Sequence, residues 1–96
     1  DLKLTLERQV MLPSALPGER DWPALKLGME RLGLTILEVT PKGMGDLTGL
    51  KTQDRITQIG TASTRYMSLS QVHQVLKQNK KKGIQFKIHR DILFKR

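Results

Sequence analysis

The side chains that carry covalent or metal chemistry are scarce in this sequence and poorly spaced for it. Cysteine is absent, which removes thiolate nucleophiles, thiolate metal ligands and disulfides together. The two histidines, His73 and His89, fall on different predicted elements with no cluster of carboxylates beside them, so no metal centre is expected. No Gly-x-Ser-x-Gly run offers a nucleophile elbow. Gly43-Met44-Gly45 lacks the Lys-Ser/Thr that follows a phosphate loop. No catalytic residue and no cofactor is expected. What remains is recognition by the backbone. The pattern apolar-Gly-apolar occurs twice, as Leu27-Gly28-Met29 and Leu32-Gly33-Leu34. A glycine-containing turn ahead of a strand can aim successive N–H groups at a carboxylate. The plain alternative is that both glycines mark tight turns.

Charge points to the kind of partner. Seventeen Lys and Arg against nine Asp and Glu leave a formal charge of +8, which attracts acidic proteins, anionic lipid and nucleic acid at long range. The cations are spread along the chain, except Lys80, Lys81 and Lys82 beside Gly83, a run that reads first as a solvated turn. A rival function is electrostatic binding through Lys77, Lys80, Lys81, Lys82, Lys87 and Arg90. It lacks a stacking surface, because Phe86 and Phe94 are expected in the core, so nucleic acid is disfavoured and an anionic membrane surface stays open.

Ninety-six residues correspond to about one small domain, and 38% hydrophobic residues with only 4% aromatics call for an aliphatic core. No apolar run approaches the roughly 20 residues of a membrane-spanning helix, and the first residues lack a signal-peptide pattern. A start at Asp1 suggests a piece of a longer protein.

The elements that would position a site follow from periodicity. Leu2, Leu4 and Leu6 alternate with polar residues, as in a half-buried strand. Leu12 to Pro23 reads as a Pro-rich loop, with Trp22 anchoring it on the core. From Leu25 the chain is strand-like again, and Leu34 to Val39 is the strongest strand signal. Pro41 to Gly49 allows one helical turn around Asp46 to Thr48. Arg55 to Ile59 is a strand with Ile56 and Ile59 inward. Ser68 to Lys77 is the clearest helix: Ser68 and Gln71 form a capping box, and Leu69, Val72, Val75 and Leu76 make an apolar stripe. Ile84, Phe86 and Ile88 alternate in a further strand, with a turn at Asp91 and a short last strand over Ile92 to Phe94. The fold class is α+β: a small, mainly antiparallel β-sandwich or partly open barrel, capped by one good helix and one helical turn.

That order, over Leu34 to Arg90, resembles a PDZ domain. The match centres on LTILEVTPKGMGDLTGLKTQDRITQIG, Leu34 to Gly60. Gly49-Leu50 stands at the family's Gly-Leu, KTQDRI at its Lys-x-Gly-Asp-x-Ile, and SLSQVHQVLKQ looks like its second helix. Gln53 replaces the usual Gly before Asp54, Gly60 lacks a preceding Asn, and Gly43-Met44-Gly45 replaces a small-Pro-Ala turn.

The resemblance implies a peptide or protein C-terminus as partner, captured by strand addition to an open sheet edge. Aligning Leu34 to Val39 with the family's third strand favours Leu27-Gly28-Met29 as the carboxylate loop, with Glu30 continuing the groove strand. Leu32-Gly33-Leu34 is the alternative. On the helix, Leu69 would take the first groove position, His73 would face the groove one turn later, and Val72 and Leu76 would line its wall and floor. Plain core packing is the competing role for Leu69 and Leu76.

The expected organisation is an N-terminal strand and linker over residues 1–23, then a PDZ-like domain over 24–96. The strand order resembles the bacterial form of the family. This suggests a host such as an HtrA-like envelope protease or a type II secretion scaffold, in the periplasm or cell envelope. LKLTLERQ also resembles the last strand of a preceding PDZ unit, which would make a second PDZ or a protease domain a neighbour in the same chain.

Overall fold

The computed structural model describes residues 2–94, leaving the Phe94 side chain outside the described part. Six strands form one antiparallel sheet: β1 (Leu2–Leu12), β2 (Leu25–Glu30), β3 (Gly33–Val39), β4 (Arg55–Ile59), β5 (Ala62–Ser63) and β6 (Ile84–Phe94). The spatial order is β1-β6-β4-β3-β2, with β5 added beside β4, and the sheet does not close on itself. Two helices complete it, the single turn α1 (Met44–Leu47) and the longer α2 (Leu69–Gln78), with a 3-10 turn at Thr64–Tyr66.

Alternation decides which side of each strand is buried. Val10 and Leu12 of β1, Leu27 of β2, Leu34 and Ile36 of β3, Ile56 and Ile59 of β4, and Ile84, Phe86 and Ile88 of β6 meet in one core with Val72 and Leu76 of α2. Aliphatic residues dominate it, as the composition requires. Trp22 joins this core and donates its indole N–H to the Pro13 carbonyl at 2.9 Å, so it ties the Pro-rich loop down as expected. The capping box of α2 is complete: Gln71 N–H donates to Ser68 Oγ at 3.2 Å, and Ser68 N–H donates to Gln71 Oε1 at 2.8 Å.

One expectation is corrected: β6 does not turn at Asp91. It runs unbroken to Phe94, because β1 pairs with it residue for residue from Leu2↔Phe94 to Leu12↔Ile84. The opening strand joins this sheet and pairs with this chain's own β6. Residues 2–12 are thus part of the same sheet as the segment that follows Pro23. β1 precedes β2 in the sequence and occupies the opposite edge of the sheet. The short pair β5 and the 3-10 turn, too brief for any periodicity to show, were also missed.

Candidate functional site

β2 ends the sheet on one side. Its other edge pairs with β3 from Leu25↔Val39 to Glu30↔Gly33, so its outer N–H and C=O groups face a space bounded by α2. Leu25, Leu27 and Met29 alternate onto the α2 side of the strand, while Lys26, Gly28 and Glu30 take the other. Between them lies an open groove of about 430 Å³. Leu25, Leu27, His73 and Leu76 give it an apolar wall, and Arg20, Asp21, Lys77 and Lys80 surround one end. At the opposite end of β2, Met29, Leu34, Ile56 and Arg65 line a second hollow of about 400 Å³.

The turn that enters β2 is Asp21 to Ala24, and glycines elsewhere make room for it. Ala24 has φ +64°, and its N–H donates to the Asp21 carbonyl. Its own carbonyl accepts from Thr40 N–H at 3.0 Å, and the Pro23 carbonyl accepts from Gly45 N–H at 3.0 Å. A Cβ on Gly43 would stand 2.4 Å from that of Ala24, and one on Gly45 would stand 2.3 Å from Leu25 Cδ2. The glycine pair flanking Met44 therefore seats the loop against α1. Pro23 has no N–H and that of Ala24 is already donated, so the loop backbone offers few donors to a carboxylate. The positive charge at this end comes instead from side chains: Arg20, Lys77 and Lys80 against the single carboxylate of Asp21.

The residues singled out from the sequence separate accordingly. Leu27, His73 and Leu76 come together in the groove. Val72 is fully buried in the core behind it, and Leu69 is half-buried against the same core rather than in the groove lining. Leu27-Gly28-Met29 forms no turn: it lies inside β2, where a Cβ on Gly28 would press on the end of the Leu37 side chain, 2.7 Å from Cδ1. Leu32-Gly33-Leu34 spans the turn into β3, and Gly33 supplies φ +118° there. Glu30 is the last residue of β2 and is exposed, so the strand does not continue to Leu32. Leu25 and Arg20 went unrecognised, since only the fold brings the Pro-rich loop to the end of α2. Of the cations assigned to an electrostatic surface, Lys77 and Lys80 line the groove, whereas Arg90 is engaged internally.

Comparison with known families agrees with this geometry: the PDZ domain family model matches residues 19–89. The chain belongs to the PDZ domain family. Among solved structures, it is similar to INAD PDZ3 in complex with a TRP channel tail, at 16% identity and a TM-score of 0.65, covering 86% of this chain and 84% of that one. It is also similar to INAD PDZ45 in complex with an NG2 peptide, at 19% identity and a TM-score of 0.71, covering 96% of this chain and 45% of that one. A search of curated proteins finds no match.

One departure from the PDZ pattern now has a structural address. Gln53, at the family's glycine, adopts φ +73°, in the left-handed region that a glycine enters without penalty. Its N–H still donates to the Ile36 carbonyl at 2.8 Å, so the β3–β4 connection keeps its shape. Asp54, which follows it, is buried and accepts from Lys51 N–H at 2.9 Å. Arg90 of β6 completes that site, and hydrogen bonding to Asp54 holds its guanidinium above the usual pKa. Next to it, Asp91 is held below the usual carboxylate range, first by the Thr5 hydroxyl and then by Lys3 and Arg55.

Proposed function

We propose that this PDZ domain binds an extended peptide by strand addition to β2. The observation that carries the reading is the open outer edge of β2 beside an apolar wall of α2. A guest backbone would satisfy the unpaired N–H and C=O groups of that edge. Alternate side chains of the guest would enter the groove against Leu25, Leu27, His73 and Leu76, and a carboxylate would sit at the end carrying Arg20, Lys77 and Lys80. Because those donors are side-chain charges in partial contact with water, affinity should fall as salt screens them. Upstream residues of an antiparallel guest run toward Met29 and the second hollow. The two INAD structures were solved with a channel tail and a peptide, which supports a peptide as the class of ligand. A protease host would use such a groove to hold substrate tails, and a scaffold host to hold a partner's tail. The groove chemistry is the same in both.

The deciding experiment is a peptide-library screen on the domain, with free and amidated C-termini, repeated on His73→Glu and on the Lys77→Glu, Lys80→Glu double variant. Selective apolar-ended peptides should emerge, weaken on amidation, and weaken further on either set of substitutions while thermal melting stays unchanged. No selection above background, or selected peptides indifferent to all of these changes, would sink the reading.

A further inference from the structure

The N-terminal half of β1 is the other free edge of the sheet, and its apolar side is uncovered. β1 pairs only with β6 and ends the strand order among the described residues. Val10 and Leu12 on its inward side are buried, but Leu6, Leu4 and Leu2 on that same side are 37%, 47% and 55% exposed. Ile92 of β6 stands opposite Leu4 and is only half-buried. The core-facing side of the sheet thus continues along a two-stranded ribbon past the point where α2 and the loops cover it. The opposite side of the ribbon is mainly polar, with Leu93 exposed opposite Lys3. Lys3 pairs with Asp91 at 3.3 Å and Glu7 with His89 at 3.2 Å, yet the Lys3 and Glu7 side chains remain 61% and 57% exposed.

We propose that this edge pairs with the same edge of a second copy, antiparallel about Thr5. Two copies related by a twofold axis must share faces, so even residues meet even and odd meet odd. Within that limit the charges choose the register. An axis at Lys3, Glu7 or Arg8 sets like charges opposite each other, and an axis at Leu4 or Leu6 pairs no charges among the described residues. Only the axis at Thr5 sets Lys3 opposite Glu7 of the other copy, twice by symmetry. The same register puts Leu4 opposite Leu6 of the other copy, also twice, and Thr5 opposite Thr5. A lysine on an edge strand ordinarily keeps copies apart by bringing two like charges together. Here the glutamate four residues on cancels that protection. The product is a four-stranded ribbon in which Leu4 and Leu6 of the two edges shield one another, while Leu2 lies opposite Arg8 of the other copy. Nothing in the pairing touches β2 or the groove, so each copy keeps its groove.

Sedimentation velocity over a concentration series tests this directly. The wild-type chain should shift from 10.9 kDa toward twice that mass. Lys3→Glu alone brings Glu opposite Glu7, and Glu7→Lys alone brings Lys opposite Lys3. Each should weaken the dimer by roughly tenfold or more. Mixed in equal amounts, the two variants restore opposite charges at both sites and should form a heterodimer. Circular dichroism melts of each variant check that the exposed substitutions leave the fold intact. A wild type that stays monomeric throughout would overturn the proposal, as would single variants that dimerise like the wild type. A mixture that associates no better than its components would remove the register and with it the proposal.

Discussion

Arg90 grips Asp54 with two parallel hydrogen bonds of 2.8 Å each, from Nε to Oδ1 and from an Nη to Oδ2. The same Nη donates to the Gly49 carbonyl at 2.9 Å. One side chain of the last long strand therefore closes the end of α1 and the turn into β4. Fork-to-fork geometry of this kind is the strongest form of ion pair, and it satisfies a carboxylate that is only 1% exposed.

Removing either partner leaves the other without its counter-charge. Asp54→Ala or Arg90→Ala should lower unfolding free energy by about 3 kcal/mol, read from urea midpoints. Arg90→Lys should recover only part of it, since an ammonium cannot span both oxygens. A loss under about 0.5 kcal/mol, the scale of an ordinary surface substitution, would mean the pair is ornamental.

Gln53 holds a left-handed conformation that costs a side-chain-bearing residue about 1–2 kcal/mol. Gln53→Gly relieves that cost but gives freedom back to the unfolded chain, worth about 0.4–1 kcal/mol. The net expectation is a gain of about 0.5–1 kcal/mol in chemical denaturation. A destabilised variant would show that the Gln53 side chain makes up the difference by contacts of its own.

Gly43→Ala places a methyl where the Ala24 Cβ already stands, and the Thr40 carbonyl is 3.2 Å away on another side. The loop that enters β2 must then lift. Stability should fall by about 1–3 kcal/mol, and peptide affinity should fall beyond what the loss of folded protein explains. Calorimetry and binding measured well below the melting temperature separate the two. Unchanged binding would place the ligand away from this loop.

Asp91 is the pH-sensitive anchor of the ribbon. Its Oδ1 accepts from the Thr5 hydroxyl at 2.7 Å and from Arg55 at 2.9 Å. A carboxylate whose folded pKa is lowered contributes its stability above the unfolded value and loses it as pH falls through the folded one. The ribbon should therefore loosen only below the ordinary carboxylate range. Carboxyl NMR titration should find Asp91 lowered, and Thr5→Val should move it back upward. An ordinary titration in the wild type would contradict the geometry.

In the groove, His73 is exposed on α2 while Leu76 is buried beneath it. His73→Glu should reduce peptide affinity several-fold by setting a negative charge beside the carboxylate end, with little change in melting temperature. Leu76→Ala should instead cost about 2–4 kcal/mol of stability, because Leu76 belongs to the core as well. If both substitutions act only on stability, the groove assignment fails.

Local pattern alone was enough for α2, whose cap, apolar stripe and length are all written within eleven residues, and for β3, β4 and the start of β6. Trp22 was legible as an anchor because a lone indole in a Pro-rich loop has few other places to go. The PDZ resemblance was legible through Gly49-Leu50, Asp54 and the distance to the helix. What the chain order could not show was which neighbour each strand would find. Leu27-Gly28-Met29 looks like a turn in sequence, yet it lies within β2, paired with β3 through Leu27↔Ile36, Gly28↔Thr35 and Met29↔Leu34. Asp91 looks like a turn residue, yet Lys3, Thr5 and Arg55, far away in the chain, hold it in a continuous strand. Lys77, Lys80 and Arg20 read as solvated charge until folding gathers them at one end of β2. Periodicity is a property of consecutive residues, while an edge, a groove and a cluster of cations depend on contacts between residues far apart in the chain. Those contacts were decided by packing in three dimensions.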